Sequence, residues 1–228
     1  MGKRFYRFIV PAARLVTKRI KTTWEVPFDG EPCVFVCNHE RASGPIRMVL
    51  DFPEMKNSRV WIFADPLNRK TVPAYVRQDH WWNEEAKLAP LYNAIIPPIV
   101  SVVLPPILRS IPNIPVYHDA RALSTMRESL KALKAGQSLI IFPELPTGYH
   151  EHDTARINEG FLLILDLYEK ANGKPLKIWP VHLDMQAHEF RVKAPITKAL
   201  SVPLEAQVPA ICERILDGIF ERTGGSHV

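Results

Sequence analysis

The chain has 228 residues, of which 46% are hydrophobic and 23% are charged. This length allows a domain that buries most of its apolar surface, and this composition excludes disorder of the whole chain. The formal net charge is +5, but residues 1–24 contain seven basic and no acidic residues, so the remainder sums to 5 − 7 = −2. A uniformly basic, nucleic-acid-binding surface would distribute its charge differently, and we expect no nucleic-acid partner.

Residues 1–24 interleave these basic residues with bulky apolar ones. The pattern is typical of a helix that lies in the lipid headgroup region, although Pro11 interrupts it early. The alternative is a surface helix that packs on the domain and exposes a solvated basic face. Because the apolar run 8–13 is too short for a signal peptide, we predict a basic amphipathic segment at 1–24 and one domain at 25–228, on the cytoplasmic side.

Segments typical of buried strands then alternate with segments of helical periodicity. Strands are predicted at 32–37, 138–142 and 176–181, and a fourth begins at 190–192. Helices are predicted at 119–135, 159–171 and 205–221. This alternation predicts an α/β fold with a mostly parallel sheet flanked by helices. The cysteines, which lack a Cys-x-x-Cys spacing, are expected to be buried reduced thiols.

Residues 91–108 carry no charge, as in a membrane-spanning helix. We nevertheless predict no spanning helix here, because Pro97-Pro98 and Pro105-Pro106 are expected to break it twice and about 20 apolar residues are needed to span a bilayer. Two interpretations remain, namely a buried layer of loop and helix, or a surface that dips into a bilayer.

Two polar motifs follow predicted strands. Asn38-His39 comes directly after the strand at 32–37, and Pro143-Glu144 comes after the strand at 138–142. Ligands of parallel sheets gather at the carboxyl ends of the strands, so we expect both motifs in one crevice. A histidine with an unperturbed pKa of roughly 6.5 suits general-base chemistry there.

Four short blocks, in order along the chain, resemble the glycerol-phosphate and lysophospholipid acyltransferase family, and within it the lysophosphatidic acid acyltransferases. The blocks are Asn38-His39, Ile114-Pro115-Val116, Phe142-Pro143-Glu144 and Trp179-Pro180-Val181. They are similar to the family's Asn-His-x4-Asp, Pro-Val-x-Arg, Phe-Pro-Glu-Gly-Thr-Arg and Pro-Val blocks. The likeness runs from about residue 26 to residue 196.

The resemblance implies an O-acyltransferase of phospholipid biosynthesis, attached peripherally to the cytoplasmic face of the cell membrane. His39 would be the general base that takes the proton of an acceptor hydroxyl, on a lysophospholipid or similar glycerolipid, as it attacks the thioester of acyl-CoA or acyl carrier protein. Glu144 would position the acceptor. The implied substrate-binding residues are Asn38, Arg41, Ser43, His118, Arg121, Pro143 and Thr147. The mechanism requires no metal and no cofactor, and membrane lipid is the expected partner.

The sequence departs from the family at the position of the first block's aspartate, which is Gly44. In Ser-His-Asp enzymes, loss of the carboxylate that orients the imidazole costs about four orders of magnitude in rate. Glu40 or Asp51 could substitute. His118 and Thr147 stand where family arginines are expected, and Arg41, Arg121 or Arg156 could compensate. A second hypothesis therefore remains open, namely a lipid- or acyl-binding relative without transferase activity.

His150-Glu151-His152-Asp153 suggests a third class of function, because two histidines on an extended segment could share a metal ion. The pattern lacks further ligands that the sequence ties to it. A polar loop after the third block is the alternative interpretation.

Overall fold

The structure is a computed structural model that describes residues 11, 14, 17–40, 43–78, 89–144, 157–200 and 202–221. Its strands form a mostly parallel seven-stranded sheet flanked by helices, so the predicted α/β fold is confirmed. The described residues fall into two compact units. Unit 1 contains Val60–Thr125, and unit 2 contains residues 17–59 and 126–221. The prediction of one domain at 25–228 stays a prediction.

The elements are numbered in chain order. The strands are β1 (Lys21–Trp24), β2 (Val34–Cys37), β3 (Ser58–Phe63), β4 (Asn113–Val116), β5 (Ser138–Ile141), β6 (Ile178–Asp184) and β7 (Glu189–Val192). The helices are α1 (Ser43–Asp51), α2 (Val72–Gln78), α3 (Ala89–Ser110), α4 (Ala122–Lys134), α5 (Leu163–Asn172) and α6 (Leu204–Phe220). Short 3-10 helices lie at Pro53–Asn57, Asp65–Leu67 and Glu159–Leu162.

Unit 2 is built on five strands in the order β1-β7-β6-β2-β5. Neighbouring strands are parallel except β6 and β7, which are antiparallel. Val34 of β2 lies opposite Leu139 on one side and opposite Ile178 on the other. Every residue of β2 and of β5 is buried, which explains why both strands have continuous apolar sequences rather than alternating ones.

A cluster of aromatic side chains packs within unit 2. Their ring centroids lie 5.0 to 6.2 Å apart, and the cluster consists of Trp24, Phe28, Phe35, Phe52, Trp179 and Phe190. Residues 21–24, at the end of the predicted basic segment, form β1 and bring Trp24 into this cluster. All three cysteines are free and buried, as expected.

Unit 1 contains the parallel pair of β3 and β4, in which Val60 lies opposite Asn113 and Phe63 opposite Val116. Between these strands in sequence, α3 runs for 22 residues without interruption. The prediction that the two proline pairs break this helix is wrong. Each proline removes one N–H donor, and the remaining backbone hydrogen bonds keep the helix continuous.

The region from Pro90 to Ser110 is long and apolar enough to cross a membrane, by length and composition only. Its mean hydropathy is 1.8, and 17% of it is buried. The interpretation of this region as a buried layer is therefore wrong, because most of the helix lies at the surface of unit 1.

Candidate active site

Unit 2 brings together the two catalytic residues that the sequence predicts. β2 and β5 are parallel neighbours, and His39 and Glu144 follow their carboxyl ends. The backbone N–H of His39 donates a hydrogen bond to Oε1 of Glu144. The imidazole packs edge-on against Phe142, with ring centroids 5.5 Å apart and an interplanar angle of 75°. Both side chains are half-buried.

Asn38 connects the end of β2 to β6. Its Oδ1 accepts a hydrogen bond from the N–H of Leu183 (2.7 Å), and its Nδ2 donates one to the carbonyl of the same residue (3.1 Å). Nδ2 also lies 3.4 Å from Oε1 of Glu40. The side chain is 1% exposed, so these bonds are shielded from water. Asn38 thus fixes the backbone from which His39 projects.

The chain turns sharply after His39. Glu40 adopts a left-handed conformation with φ = 42°, and the N–H of Gly44 donates a hydrogen bond to the carbonyl of His39 (3.0 Å). A Cβ atom at position 44 would lie 2.1 Å from that carbonyl oxygen. Real Cβ atoms do not approach backbone this closely, so the turn requires glycine at the position where the family has aspartate.

Carboxyl groups shape the electrostatics around His39. Burial raises the pKa of Glu144 from 4.5 to about 7; the hydrogen bond from His39 lowers it, and the negative charge of Glu40 raises it further. Burial, together with the same two carboxylates, raises the pKa of the Cys37 thiol well above its ordinary value. Asp51, one sequence candidate for orienting the imidazole, instead forms a buried ion pair with Arg47 at 2.7 Å.

The backbone that carries Glu144 is held on its other side. The carbonyl of Pro143 accepts a hydrogen bond from the N–H of Asn158 (2.8 Å), and Glu144 forms an antiparallel bridge with Ile157. Pro143 is buried at this junction. Several predicted residues lie outside the described residues, namely Arg41, Thr147, Arg156 and the segment 150–153. Ser43 begins α1, and its side chain lies outside the described part of the chain.

Two predicted substrate-binding residues belong to unit 1. His118 is exposed and packs against Phe63, with ring centroids 5.0 Å apart. Arg121 lies 4.2 Å above the ring of Tyr117 and forms an ion pair with Asp119 at 2.7 Å. Their roles in substrate binding stay predictions. Among the residues that the structure describes, no group of three or more His, Cys, Asp or Glu side chains could hold a metal ion.

Sequence reasoning missed two features of the site. The backbone of Leu183 is the partner of Asn38, and no local pattern signals this contact because the two residues are 145 positions apart. The close approach at Gly44 did leave a signal, since a glycine follows a strand end where the chain must reverse.

No family model matches the chain, and no curated protein matches it. One solved structure is similar, that of the 1-acyl-sn-glycerophosphate (LPA) acyltransferase PlsC from Thermotoga maritima. The two chains are 15% identical, with a TM-score of 0.45 over 93% of this chain and 88% of that one. This likeness is distant and concerns the chain trace alone, so nothing about residues or substrates follows from it.

Proposed function

We propose that the protein transfers a fatty acyl group from acyl-CoA or acyl carrier protein to a hydroxyl group of a lysophospholipid or similar glycerolipid. The observation that carries the proposal is the joint placement of His39 and Glu144 at the carboxyl ends of two adjacent parallel strands. This edge of a parallel sheet is where such folds bind ligands. The order of the four sequence blocks also supports the proposal.

In the proposed reaction, the imidazole of His39 takes the proton of the acceptor hydroxyl as its oxygen attacks the thioester carbonyl carbon. The new C–O bond forms, negative charge develops on the carbonyl oxygen, and backbone N–H groups near the strand ends stabilise it. The C–S bond then breaks, and the thiolate takes the proton back from the imidazolium. The products are the ester and the free thiol, so no covalent enzyme intermediate is needed.

Glu144 has two roles in this proposal. Its carboxyl group accepts a hydrogen bond from the backbone N–H of His39 and so fixes the backbone position from which the imidazole projects. With a pKa raised to about 7, it is also partly protonated near neutral pH, and the protonated form can donate a hydrogen bond to an acceptor oxygen. We further propose that the protein works peripherally at the cytoplasmic face of the membrane, with the basic residues of 1–24 facing anionic lipid.

A second candidate function is binding of lipid or acyl chains without transfer. The observation that favours it is Gly44, because the 2.1 Å approach to the carbonyl of His39 leaves no space for any side chain. In Ser-His-Asp enzymes a carboxylate fixes the tautomer of the imidazole and stabilises the imidazolium, and position 44 cannot supply that carboxylate.

Acyl transfer by the purified chain distinguishes the two functions. Labelled acyl-CoA and acyl carrier protein are supplied with a panel of lysolipid acceptors, and wild type is compared with His39→Ala. We expect the substitution to lower turnover at least a hundredfold, as for the loss of a general base. His188→Asn is the matched control, because it removes a histidine elsewhere in unit 2 at a left-handed position that asparagine tolerates.

Equal turnover in His39→Ala and wild type would contradict the role of His39. No turnover with any donor or acceptor, by wild-type protein that still binds lysolipid, would favour the binding function instead.

A further inference from the structure

The long helix α3 exposes its apolar side chains and buries its serines. From residue 90 to residue 108, every exposed position is apolar. The larger exposed side chains are 47% to 58% accessible, and they are Leu91, Ile95, Ile99, Val102 and Val103. The serines of the helix face the protein instead, since Ser101 and Ser110 are 7% and 6% exposed. A helix on a water-exposed surface normally shows the opposite pattern.

This apolar face is too large to be ordinary surface. A helix of 22 residues is about 33 Å long, and the exposed residues recur every three or four positions along it. Single exposed apolar side chains are common, but a contiguous patch of this extent marks a surface that contacts another apolar phase. The chain carries no charge from residue 89 to residue 108, so this face offers no charged side chain to water.

The helix ends at a polar cavity. Arg109, in its last turn, lines a cavity of about 450 Å³ together with Arg121, Asn68 and Asp65. Arg121 is held by Asp119, whereas the Arg109 guanidinium has no ion pair among the residues that the structure describes. Planar guanidinium groups suit phosphate oxygens, which they bind through two parallel hydrogen bonds.

We propose that α3 docks unit 1 on a lipid bilayer, with its apolar face inserted in one leaflet and a phospholipid phosphate in the cavity at its C-terminal end. The cavity favours lipid over a protein partner as the occupant. The apolar face suits the acyl chains of a phospholipid, and the arginine-lined cavity at its end suits the phosphate that follows those chains. Arginine at the end of an apolar helix is also typical of the bilayer interface.

The helix lies in the plane of the leaflet rather than across the bilayer. Four prolines remove the N–H groups that would bond to the carbonyls of Asn93, Ala94, Ser101 and Val102. Unpaired carbonyls are costly in the hydrocarbon core but are hydrated near the headgroups. One side of α3 also packs on α2 and on the 3-10 helix Asp65–Leu67, so lipid cannot surround it.

Vesicle sedimentation with the full chain tests the insertion of α3. Neutral phosphatidylcholine vesicles are used, because they minimise the contribution of the basic residues of 1–24. We expect Ile99→Asp combined with Val103→Asp to weaken binding at least tenfold. Leu163→Asp is the control, since Leu163 lies on helix α5 of unit 2 with a similar exposure of 55%. Equal binding by the double variant and wild type would overturn the proposal, as would self-association of a wild-type chain that ignores vesicles.

The cavity is tested by the preference for vesicles that contain phosphatidylglycerol. We expect Arg109→Gln combined with Arg121→Gln to lower this preference at least fivefold, and Arg127→Gln combined with Lys131→Gln, which removes two exposed charges from α4, to lower it less. Equal effects of both pairs would overturn the phosphate site. If millimolar inorganic phosphate at constant ionic strength abolishes the preference, the cavity is a site for free phosphate and not for a lipid headgroup. His39→Ala should bind both vesicles like wild type, so failure here is distinguishable from failure of the proposed acyl transfer.

Discussion

Glu144 is a carboxyl group in a place that disfavours its charge. Its pKa of about 7 in the folded protein lies above the ordinary 4.5, so the folded chain binds one more proton than the unfolded chain between these values. The stability that this proton contributes is fully present below pH 4.5 and is lost as the pH rises to about 7.

We therefore expect Glu144→Gln to be more stable than wild type at pH 8, by about 2 kcal/mol, and to lose this advantage at pH 4.5. Glutamine keeps an oxygen that can accept the hydrogen bond from His39 but removes the buried charge. Urea denaturation at both pH values measures the difference. The exposed Glu128 provides the control Glu128→Gln, for which we expect no such change. An identical pH dependence in Glu144→Gln and wild type would exclude this carboxyl group as its source.

Gly44 is a requirement of the turn rather than a missing aspartate. We expect Gly44→Ala to destabilise the protein by about 2 kcal/mol or more, because the new Cβ overlaps the carbonyl of His39 and forces the backbone to move. Gly160→Ala is the comparison, since its Cβ would lie 3.1 Å from the Asn158 Oδ1 atom, which can rotate away. Thermal unfolding of both variants measures the contrast. A tolerated Gly44→Asp that raises turnover would contradict this explanation.

At the scale of secondary-structure elements, the side chain of Asn38 makes the hydrogen bonds that the backbone of a strand residue would make. Its side-chain amide bonds to both backbone groups of Leu183, so it extends the contact of β2 with β6 beyond Cys37. We expect Asn38→Ala to cost about 3 kcal/mol, because a buried N–H and a buried carbonyl of Leu183 lose their partner. Asn158→Ala, which removes an exposed N-cap bond to Gly160, should cost about 1 kcal/mol. Urea denaturation compares them, and equal costs would show that water replaces the amide of Asn38.

The sequence predicted well the strands that are buried on both faces and therefore need a continuous apolar sequence. β2 and β5 are buried on both faces, so their apolar runs were sufficient to locate them. β1, β3 and β4 were missed. Only three of their positions are fully buried, so they lack the all-buried apolar run that locates β2 and β5. The continuity of α3 was also missed. Proline propensity is a local rule, and the packing of α3 on α2 outweighs it.

The candidate site was predictable to the extent that it depends on chain topology. Strand ends in a parallel sheet share one edge, and this rule predicts that His39 lies beside Glu144. The support for the site was not predictable. The amide of Asn38 reaches a residue 145 positions away, and the steric limit at Gly44 depends on a turn whose conformation no motif specifies.

For the whole molecule, two separate regions are expected to contribute to membrane attachment by different forces. Residues 1–24 carry seven positive charges, whereas the exposed face of α3 carries none before Arg109. Electrostatic attraction to anionic lipid is screened by salt, since the Debye length falls from about 10 Å at 0.1 M to about 3 Å at 1 M. Apolar insertion is not screened. Binding to anionic vesicles should therefore have a salt-sensitive part and a salt-resistant part.

We expect about 1 M NaCl to weaken binding of the wild-type chain to anionic vesicles at least tenfold. The salt-resistant binding that remains should be abolished by Ile99→Asp combined with Val103→Asp. Replacing the lysines of 1–24 by glutamine should have the complementary effect, lowering binding at low salt and leaving the remainder unchanged. Sedimentation over a salt series measures both parts. A remainder that survives the α3 substitutions would mean that the apolar side chains of 1–24, rather than α3, enter the bilayer.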